Sequence, residues 1–311
     1  MHIRILGSAA GGGFPQWNCN HPNSRRARNG DPTASPRTQS SLAISSDKKN
    51  WFLFNASPDL RQQINENLIL QPQPDGPLRA SPIAGVVVTN ADVDHIAGLL
   101  NLRESQALQL YATKRVLEVL AANPIFQVLN PKFVQRRPLQ LEQDHMLQLP
   151  DGSSSGLLIR PFAVPGKIAL WLEGKGQAVP TDAIQEDTIA LEGKSADGRT
   201  LFFYIPGCAS MPGWLQERLQ HAPLLLFDGT LWQDNEMIVS GVGQKTGQRM
   251  GHMSLSGPQG SIATLQNLGI ERKIFVHLNT TNPVLLEDSP ERAEAIAAGW
   301  EIAHDGMELS L

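Results

Sequence analysis

The residues of this chain best suited to chemistry fall in one short run, Thr89–Leu99, "TNADVDHIAGL". Three consecutive valines, Val86–Val88, lead into it, so its polar residues stand at the end of a buried strand. Asp94 and His95 are adjacent there, with Asn90 and Asp92 just ahead. Carboxylate and imidazole donors side by side suit a divalent metal, and strand ends are where α/β folds place their sites. A plainer role is also open. Asp94 is a good N-cap for a helix beginning at His95, and Asn90 can close a turn. A calcium EF-hand is excluded, because His95 stands at the glycine position and Asn101 at that of the final glutamate.

A single metal would need further donors from distant sequence. His277 is the best placed, near the end of the apolar run "KIFVHL" and before the polar "NTTNP". It is either a ligand at a strand end or a hydrogen-bonded core histidine. His252, in "RMGHMS", comes next. His2, His145, His221 and His304 have weaker settings, and His21 is notable for its closeness to Cys19.

These residues need a framework to hold them. The 311 residues are 41% hydrophobic and 18% charged, enough for a sizeable core. A net charge of −4 offers no global field for nucleic acid. No segment approaches the roughly 20 apolar residues of a membrane span, and the N-terminus reads as a first strand rather than a signal peptide. With Cys19 and Cys208 as the only cysteines, a disulfide framework is excluded and a reducing cytoplasm is expected. Strands are expected at Ile3–Leu6, Leu42–Ile44, Trp51–Asn55, Ile83–Thr89, Leu108–Tyr111, Leu157–Val164, Ile168–Leu172, Leu201–Ile205, Leu224–Asp228 and Lys273–Leu278. Helices are expected at Pro58–Asn67, His95–Glu104, Thr113–Ala121, Gly213–His221, Pro258–Leu268 and Pro290–Ala298. Gln71–Pro82 and Gly174–Ala183 read as loops. Both halves run from strands to helices with no linker between them. The expected architecture is therefore α/β, two packed sheets with helices outside, in a single domain over residues 1–311.

Eight fragments then carry a family resemblance. They are "LGSAAGGGFPQWNCN", "RTQSSLAIS", "FNASPDLRQQI", "DVDHIAGLLNLRE", "FDGTLWQDNEM", "GVGQKTGQRMGHMSLSGP", "HLNTTNPVLLEDSPERAEAIAAG" and "DGMEL", in that order along essentially the whole chain. Together they resemble the PqqB family of pyrroloquinoline quinone (PQQ) biosynthesis, within the metallo-β-lactamase superfamily. The resemblance implies a four-layer αβ/βα sandwich. It also aligns the Asn90 loop with the superfamily's Thr-His-x-His-x-Asp-His. Asn90 and Asp92 replace the two leading histidines, while Asp94 and His95 match. Gly166 of "AVPGK" stands where a third histidine is usual and Gly207 of "YIPG" where a bridging aspartate is usual. His277 matches the last histidine.

What survives is thus two histidines and a carboxylate, the protein ligand set of a mononuclear non-haem Fe(II) oxygenase, although zinc accepts the same donors. The resemblance implies Asp94, His95 and His277 as catalytic Fe(II) ligands. Asp92 is a candidate fourth ligand or an orienting carboxylate, and Asn90 a weaker candidate for that duty. The implied reaction is O₂-dependent hydroxylation of the tyrosine ring in a cross-linked Glu–Tyr intermediate from a precursor peptide. Other PQQ-pathway proteins are conceivable partners. Two rival readings are a zinc hydrolase, disfavoured by Asn90, Gly166 and Gly207, and a non-catalytic carrier of the quinone, which has no need of the three retained ligands.

The remaining candidates are peripheral. A substrate bearing amino-acid carboxylates calls for cations, which Lys245 and Arg249 in the glycine-rich "GVGQKTGQRMGH" supply. That stretch also reads as a solvated loop. Asp228, before Gly229, is a substrate contact, a support for the ligands, or a turn residue. The Ser8–Gly13 amides could approach a ligand. Trp17 and Trp232 could stack on an aromatic one, but tryptophans are usually core. Related superfamily members use Cys-x-Cys-x-x-Cys and a distant histidine for structural zinc. Here Cys19, His21 and His252 would be the zinc ligands, with Ser24 a poor fourth.

Overall fold

Leu224–Asp228 and Arg272–Val276 show how the residue pattern builds the layers. Leu225, Phe227 and Phe275 belong to one apolar cluster, while Leu224, Leu226, Ile274 and Val276 belong to another. Alternate side chains of one strand point to opposite faces, and both faces here are buried, so the strands read as continuous apolar runs.

The computed structural model describes residues 1–169, 172 and 185–311. The expected loop at Gly174–Ala183 lies outside the described residues, as does part of the expected strand Ile168–Leu172, whose described residues Ile168, Ala169 and Leu172 belong to no strand. The first sheet comprises β1 (His2–Gly7), β2 (Ser41–Ser45), β3 (Trp51–Phe54), β4 (Ile83–Val87), β5 (Leu108–Thr113) and β6 (Val134–Leu139). The second comprises β7 (His145–Gln148), β8 (Ser154–Ala163), β9 (Ile189–Lys194), β10 (Thr200–Ile205), β11 (Leu224–Asp228), β12 (Arg272–Val276) and β13 (Trp300–Ile302). The last strand, β14 (Glu308–Ser310), returns to the first sheet, giving orders β14-β1-β2-β3-β4-β5-β6 and β13-β12-β11-β10-β9-β8-β7. The α-helices among the described residues are α1 (Pro22–Arg28), α2 (Leu60–Glu66), α3 (Val93–Ile96), α4 (Lys114–Ala122), α5 (Gly213–Leu219), α6 (Glu236–Val239), α7 (Gly247–Met250), α8 (Ser261–Thr264) and α9 (Pro290–Ala297).

The inner faces of the two sheets meet in one cluster, with Phe54 of β3 against Phe202 and Tyr204 of β10. The outer face of the first sheet packs with Leu60 of α2 and Val116 and Leu120 of α4. The outer face of the second packs with Leu215 and Leu219 of α5 and Ala295 of α9. This is the αβ/βα sandwich that the sequence implies. Strands β3 to β6 run parallel, as do β10 to β13, so β4, β11 and β12 each deliver a carboxyl end toward the same region.

Several elements differ from expectation. The helix expected at His95–Glu104 is one α-helical turn, α3, followed by a 3₁₀ segment at Ala97–Leu102. Gly98 sits there because a Cβ would lie 2.1 Å from the Ser57 carbonyl oxygen. Of the helix expected at Pro258–Leu268 only α8 forms, since Gly260 packs tightly on the Leu255 and Ser256 carbonyls. Strand β6 was hidden by its polar pattern and Pro138, which an edge strand tolerates. Among the described residues no helix is long and apolar enough to cross a membrane.

The second sheet's outer cluster rests heavily on Phe275, whose ring stacks on Trp300 at 3.7 Å between centroids and 5° between planes. Phe275→Ala is expected to cost about 3–5 kcal/mol, read by urea unfolding. A loss below about 1 kcal/mol would mean that this face repacks freely.

Candidate metal centre

Strand β4 ends at Val87, and the chain turns over a buried polar platform. Asn55 has φ 63° and accepts from the Thr89 N–H at 2.9 Å, and its amide donates to Thr89 Oγ1 at 3.0 Å and Tyr204 Oη at 3.4 Å. Asn90 follows. Its Oδ1 accepts from the Asp92 N–H at 2.9 Å, which fixes the amide's orientation, and lies 2.8 Å from His95 Nδ1. His95 Nδ1 therefore carries the proton and Nε2 the lone pair. Helix α3 then starts with Asp92, not Asp94, as the N-cap residue, and Asp92 makes no side-chain cap hydrogen bond. The capping role weighed for Asp94 is thus replaced. Its carboxylate reaches across to the other sheet, placing Oδ2 3.1 Å from His277 Nε2.

His277 lies one residue beyond β12 with φ 59°, a left-handed conformation uncommon for a side chain other than glycine. Such a geometry persists when its surroundings over-determine it. Here the Leu278 N–H donates to the Ser8 carbonyl at 2.8 Å, and the Ala10 N–H donates back to the Leu278 carbonyl at 2.8 Å. Thr230 Oγ1 lies 2.8 Å from His277 Nδ1 and donates to Asp228 Oδ1 at 2.6 Å. His277 Nδ1–H therefore donates to Thr230, which points Nε2 at Asp94.

Among the described residues two groups of metal-type donors come together, Asp94–His95–His277 and Asp228–His252–His277, each with ligand atoms within 4.8 Å of one another. Their hydrogen bonding separates their roles. Asp228 is fully buried and saturated. It accepts from the N–H groups of Cys208 and Thr230, from the Thr230 hydroxyl, and from His252 Nδ1 at 2.7 Å. In the first group His95 Nε2 is buried with no hydrogen-bond partner. A buried bare imidazole nitrogen beside a carboxylate and a second imidazole fits a metal ion, so Asp94, His95 and His277 are the residues that would hold one. Burial acts to raise the Asp94 carboxyl, but the His95 and His277 imidazoles outweigh it and hold it below the usual carboxylate range. Burial lowers His95 despite the Asp94 charge, which favours the neutral, ligating form. Burial also opposes charge on His277, yet the hydrogen bond with Asp94 prevails and raises it.

Comparison with known proteins places this geometry in a family. A "Beta-lactamase superfamily domain" model matches residues 50–278. A coenzyme PQQ synthesis protein B from Gluconacetobacter diazotrophicus is 52% identical over 310 residues, covering 100% of this chain and 99% of that protein. The chain belongs to the coenzyme PQQ synthesis protein B family. The family member of that name from Xanthomonas oryzae is 51% identical over the full length of both chains. The crystal structure of a Zn(2+)-bound PqqB from Methylobacterium extorquens superposes with a TM-score of 0.93 at 48% identity, covering both chains completely. A diphosphatase of the PhnP family, at 19% identity and TM-score 0.69 over 99% of this chain and 96% of that one, shares the fold.

Within this PqqB-family chain the second zinc site expected from the sequence does not assemble. Cys19 Sγ accepts from the His21 N–H at 3.4 Å, and His21 Nδ1 accepts from the Asn23 N–H at 3.3 Å, capping α1. His252 is committed to Asp228 and stacks on His277, with ring centroids 5.1 Å apart. Ser24 Oγ is buried 2.8 Å from Thr280 Oγ1. Among the described residues Cys19, His21 and His252 form no ligand group. Hydrogen bonds tie α1 to the segment after His277, since Asn23 Nδ2 also donates to the Thr281 carbonyl at 3.0 Å.

Other candidates also move. Asp228 is enclosed and orients Thr230 and His252, so it is not a substrate contact. The glycine-rich stretch with Lys245 and Arg249 is an ordered turn around α7, held by the Asp234 carboxylate accepting from the Gln248 N–H at 2.8 Å. Trp232 is core, whereas Trp17 is 86% exposed, against the core expectation. Gly11 of the Ser8–Gly13 segment lies beside the centre, as a Cβ there would be 3.4 Å from Asp94 Oδ2. A Cβ on Gly207 would stand 3.5 Å from His252 Cε1, and one on Gly166 2.7 Å from Thr188. Sequence reasoning missed Asn55, Thr230 and Tyr204. Only the "DGT" following an apolar run hinted at Thr230.

Two outcomes follow. Asn90→Ala is expected to weaken metal binding about 10–100-fold in chelator competition, because His95 loses its orienting partner; unchanged affinity would remove Asn90 from that role. Metal content by elemental analysis is expected to be equal in wild type, Cys19→Ser and His21→Ala; loss of one equivalent in either variant would restore the N-terminal zinc site.

Proposed function

We propose that this chain acts in PQQ biosynthesis as a metal-dependent enzyme, and that its reaction is an Fe(II)- and O₂-dependent hydroxylation of the tyrosine ring in a cross-linked Glu–Tyr intermediate derived from the precursor peptide. Family membership supports the pathway, and the cytoplasm is the compartment that suits it. The observation that carries the chemistry is the bare His95 Nε2 beside Asp94 and His277, with Asn90 turned into a support. A dinuclear hydrolase would need a histidine at position 90 as a ligand. Here Asn90 accepts the His95 Nδ1 proton instead. Ferrous iron bound by two histidines and one carboxylate supplies oxygen activation and leaves coordination positions open to other groups.

The chain's own residues have defined duties in this reading. Asp94, His95 and His277 hold the metal. Asn90 and Thr230 keep each imidazole Nδ1 protonated, so that both Nε2 atoms face inward. Asp228 keeps His252 in the tautomer whose Nε2 bears a lone pair, available to accept a hydrogen bond from bound substrate. Lys245 and Arg249 remain candidates for the substrate's carboxylates on the segment that leads to His252.

The test is anaerobic reconstitution with Fe(II), Zn(II) or no metal, followed by the cross-linked substrate, O₂ and a chemical reductant. Stoichiometric oxygen uptake with hydroxylated product is expected from the iron form alone, and His277→Ala is expected to abolish both iron binding and turnover. Ester hydrolysis by the zinc form with no oxygen uptake by the iron form would overturn the reading in favour of a hydrolase. Tight quinone binding with neither activity would favour a carrier.

A further inference from the structure

The centre gathers more negative charge than its metal ligands require. Asp92 and Asp94 lie within three residues of one another, and buried Asp228 sits behind His277 and His252. A substrate built from glutamate and tyrosine carries carboxylates of its own, so like-charge repulsion would oppose its entry. A divalent ion held by Asp94, His95 and His277 would offset part of this charge, and a protein cation beside Asp92 would offset more of it.

Lys167 is in place. Its Nζ lies 3.6 Å from Asp92 Oδ1 and donates to the Ile168 carbonyl at 3.3 Å, and its side chain is only 12% exposed. Two neighbours fix its location. The Lys167 carbonyl accepts from Thr188 Oγ1 at 2.9 Å, and Thr188 bridges to Asn90, the residue that orients His95. On its other side Gly251 closes α7 with φ 89°, and a Cβ there would be 3.1 Å from Lys167 Cγ. That explains one glycine of the glycine-rich stretch, which leaves room for the lysine stem and delivers His252 next in sequence.

The partner of Lys167 is informative. Asp92 occupies a position where a dinuclear hydrolase has a metal-binding histidine, and Lys167 directly follows Gly166, where another such histidine is usual. An ammonium, Lys167 Nζ, stands 3.6 Å from Asp92 Oδ1 there. At 3.6 Å the ion pair is longer than the ~2.7–2.9 Å of a charge-assisted hydrogen bond. A lysine, as a flexible point charge, can redirect without rebuilding its surroundings.

We propose that Lys167 receives a carboxylate of the substrate, taking it in exchange for Asp92. The idea rests on the hydroxylase reading only for the substrate's identity. It is tested with PQQ itself, a polycarboxylate probe, titrated into zinc-loaded protein, where no oxidation intervenes. Lys167→Met is expected to weaken PQQ binding about 10–100-fold, while Lys167→Arg stays within about threefold of wild type, the span expected for losing or keeping a charge-assisted contact. Zinc content and far-UV circular dichroism are expected to match wild type in both variants, which separates loss of a contact from loss of fold or metal. In the iron form Lys167→Met is expected to raise KM with kcat little changed.

Failure of wild type to bind PQQ, or equal binding by Lys167→Met, overturns the proposal. The two readings fail separately. Lys167-dependent PQQ binding without oxygen uptake by the iron form would retain this proposal and remove the hydroxylase. Normal oxygen uptake by Lys167→Met at unchanged KM would do the reverse.

Discussion

The contact between Asp94 Oδ2 and His277 Nε2, at 3.1 Å, joins the carboxyl ends of strands in two different sheets. Asp94 and His95 follow β4 of the first sheet, and His277 follows β12 of the second. The distance between the donors is therefore set by how the inner faces of the sheets pack. Phe54 against Phe202 and Tyr204 occupies that interface, and protein interiors of this kind are close-packed and resist deformation. The hydrophobic core thus does two jobs with one set of contacts, stabilising the sandwich and fixing the separation of the metal donors.

Around the donors, buried polar groups convert that coarse placement into orientation. Asn55 and His277 both take left-handed backbone conformations at strand ends, and both are tied by hydrogen bonds on several sides. On the first sheet the chain of contacts runs from Tyr204 through Asn55 and Thr89 to His95. On the second it runs from Cys208 through Asp228 and Thr230 to His277. Each imidazole thereby keeps a defined tautomer. In the Asp94–His95–His277 group His95 Nε2 is buried without a hydrogen-bond partner, which is the signature expected where an ion completes the network.

Much of this was legible in the sequence. The apolar runs gave most of the central strands because both of their faces are buried, but not β9, whose Glu192, Gly193 and Lys194 interrupt its apolar run, and the three residues read as candidate donors, Asp94, His95 and His277, are brought together. The edge strands β6, β13 and β14 were not legible, being short or polar, and neither were one-turn helices such as α3 and α7, whose stability comes from packing rather than periodicity. The assignment of His252 to zinc failed for a related reason. Sequence order gives no hint that the turn around α7 carries His252 to Asp228 rather than to Cys19. The supports Asn55 and Thr230 escaped because nothing in an asparagine or a threonine marks it as orienting a histidine until the histidine is beside it.

The departures from the superfamily pattern form one consistent set. Asn90 orients His95, Gly207 gives room beside His252, and the segment around Ser24 and Thr280 is clasped by hydroxyl contacts. A single metal is proposed to occupy the space bounded by Asp94, His95 and His277. Anomalous diffraction at the iron edge, from crystals of the protein loaded anaerobically with Fe(II), tests it most directly. One peak within bonding distance of Asp94 Oδ2, His95 Nε2 and His277 Nε2 is predicted. A peak at Asp228 and His252, or paired peaks spanning Asn90, would contradict it.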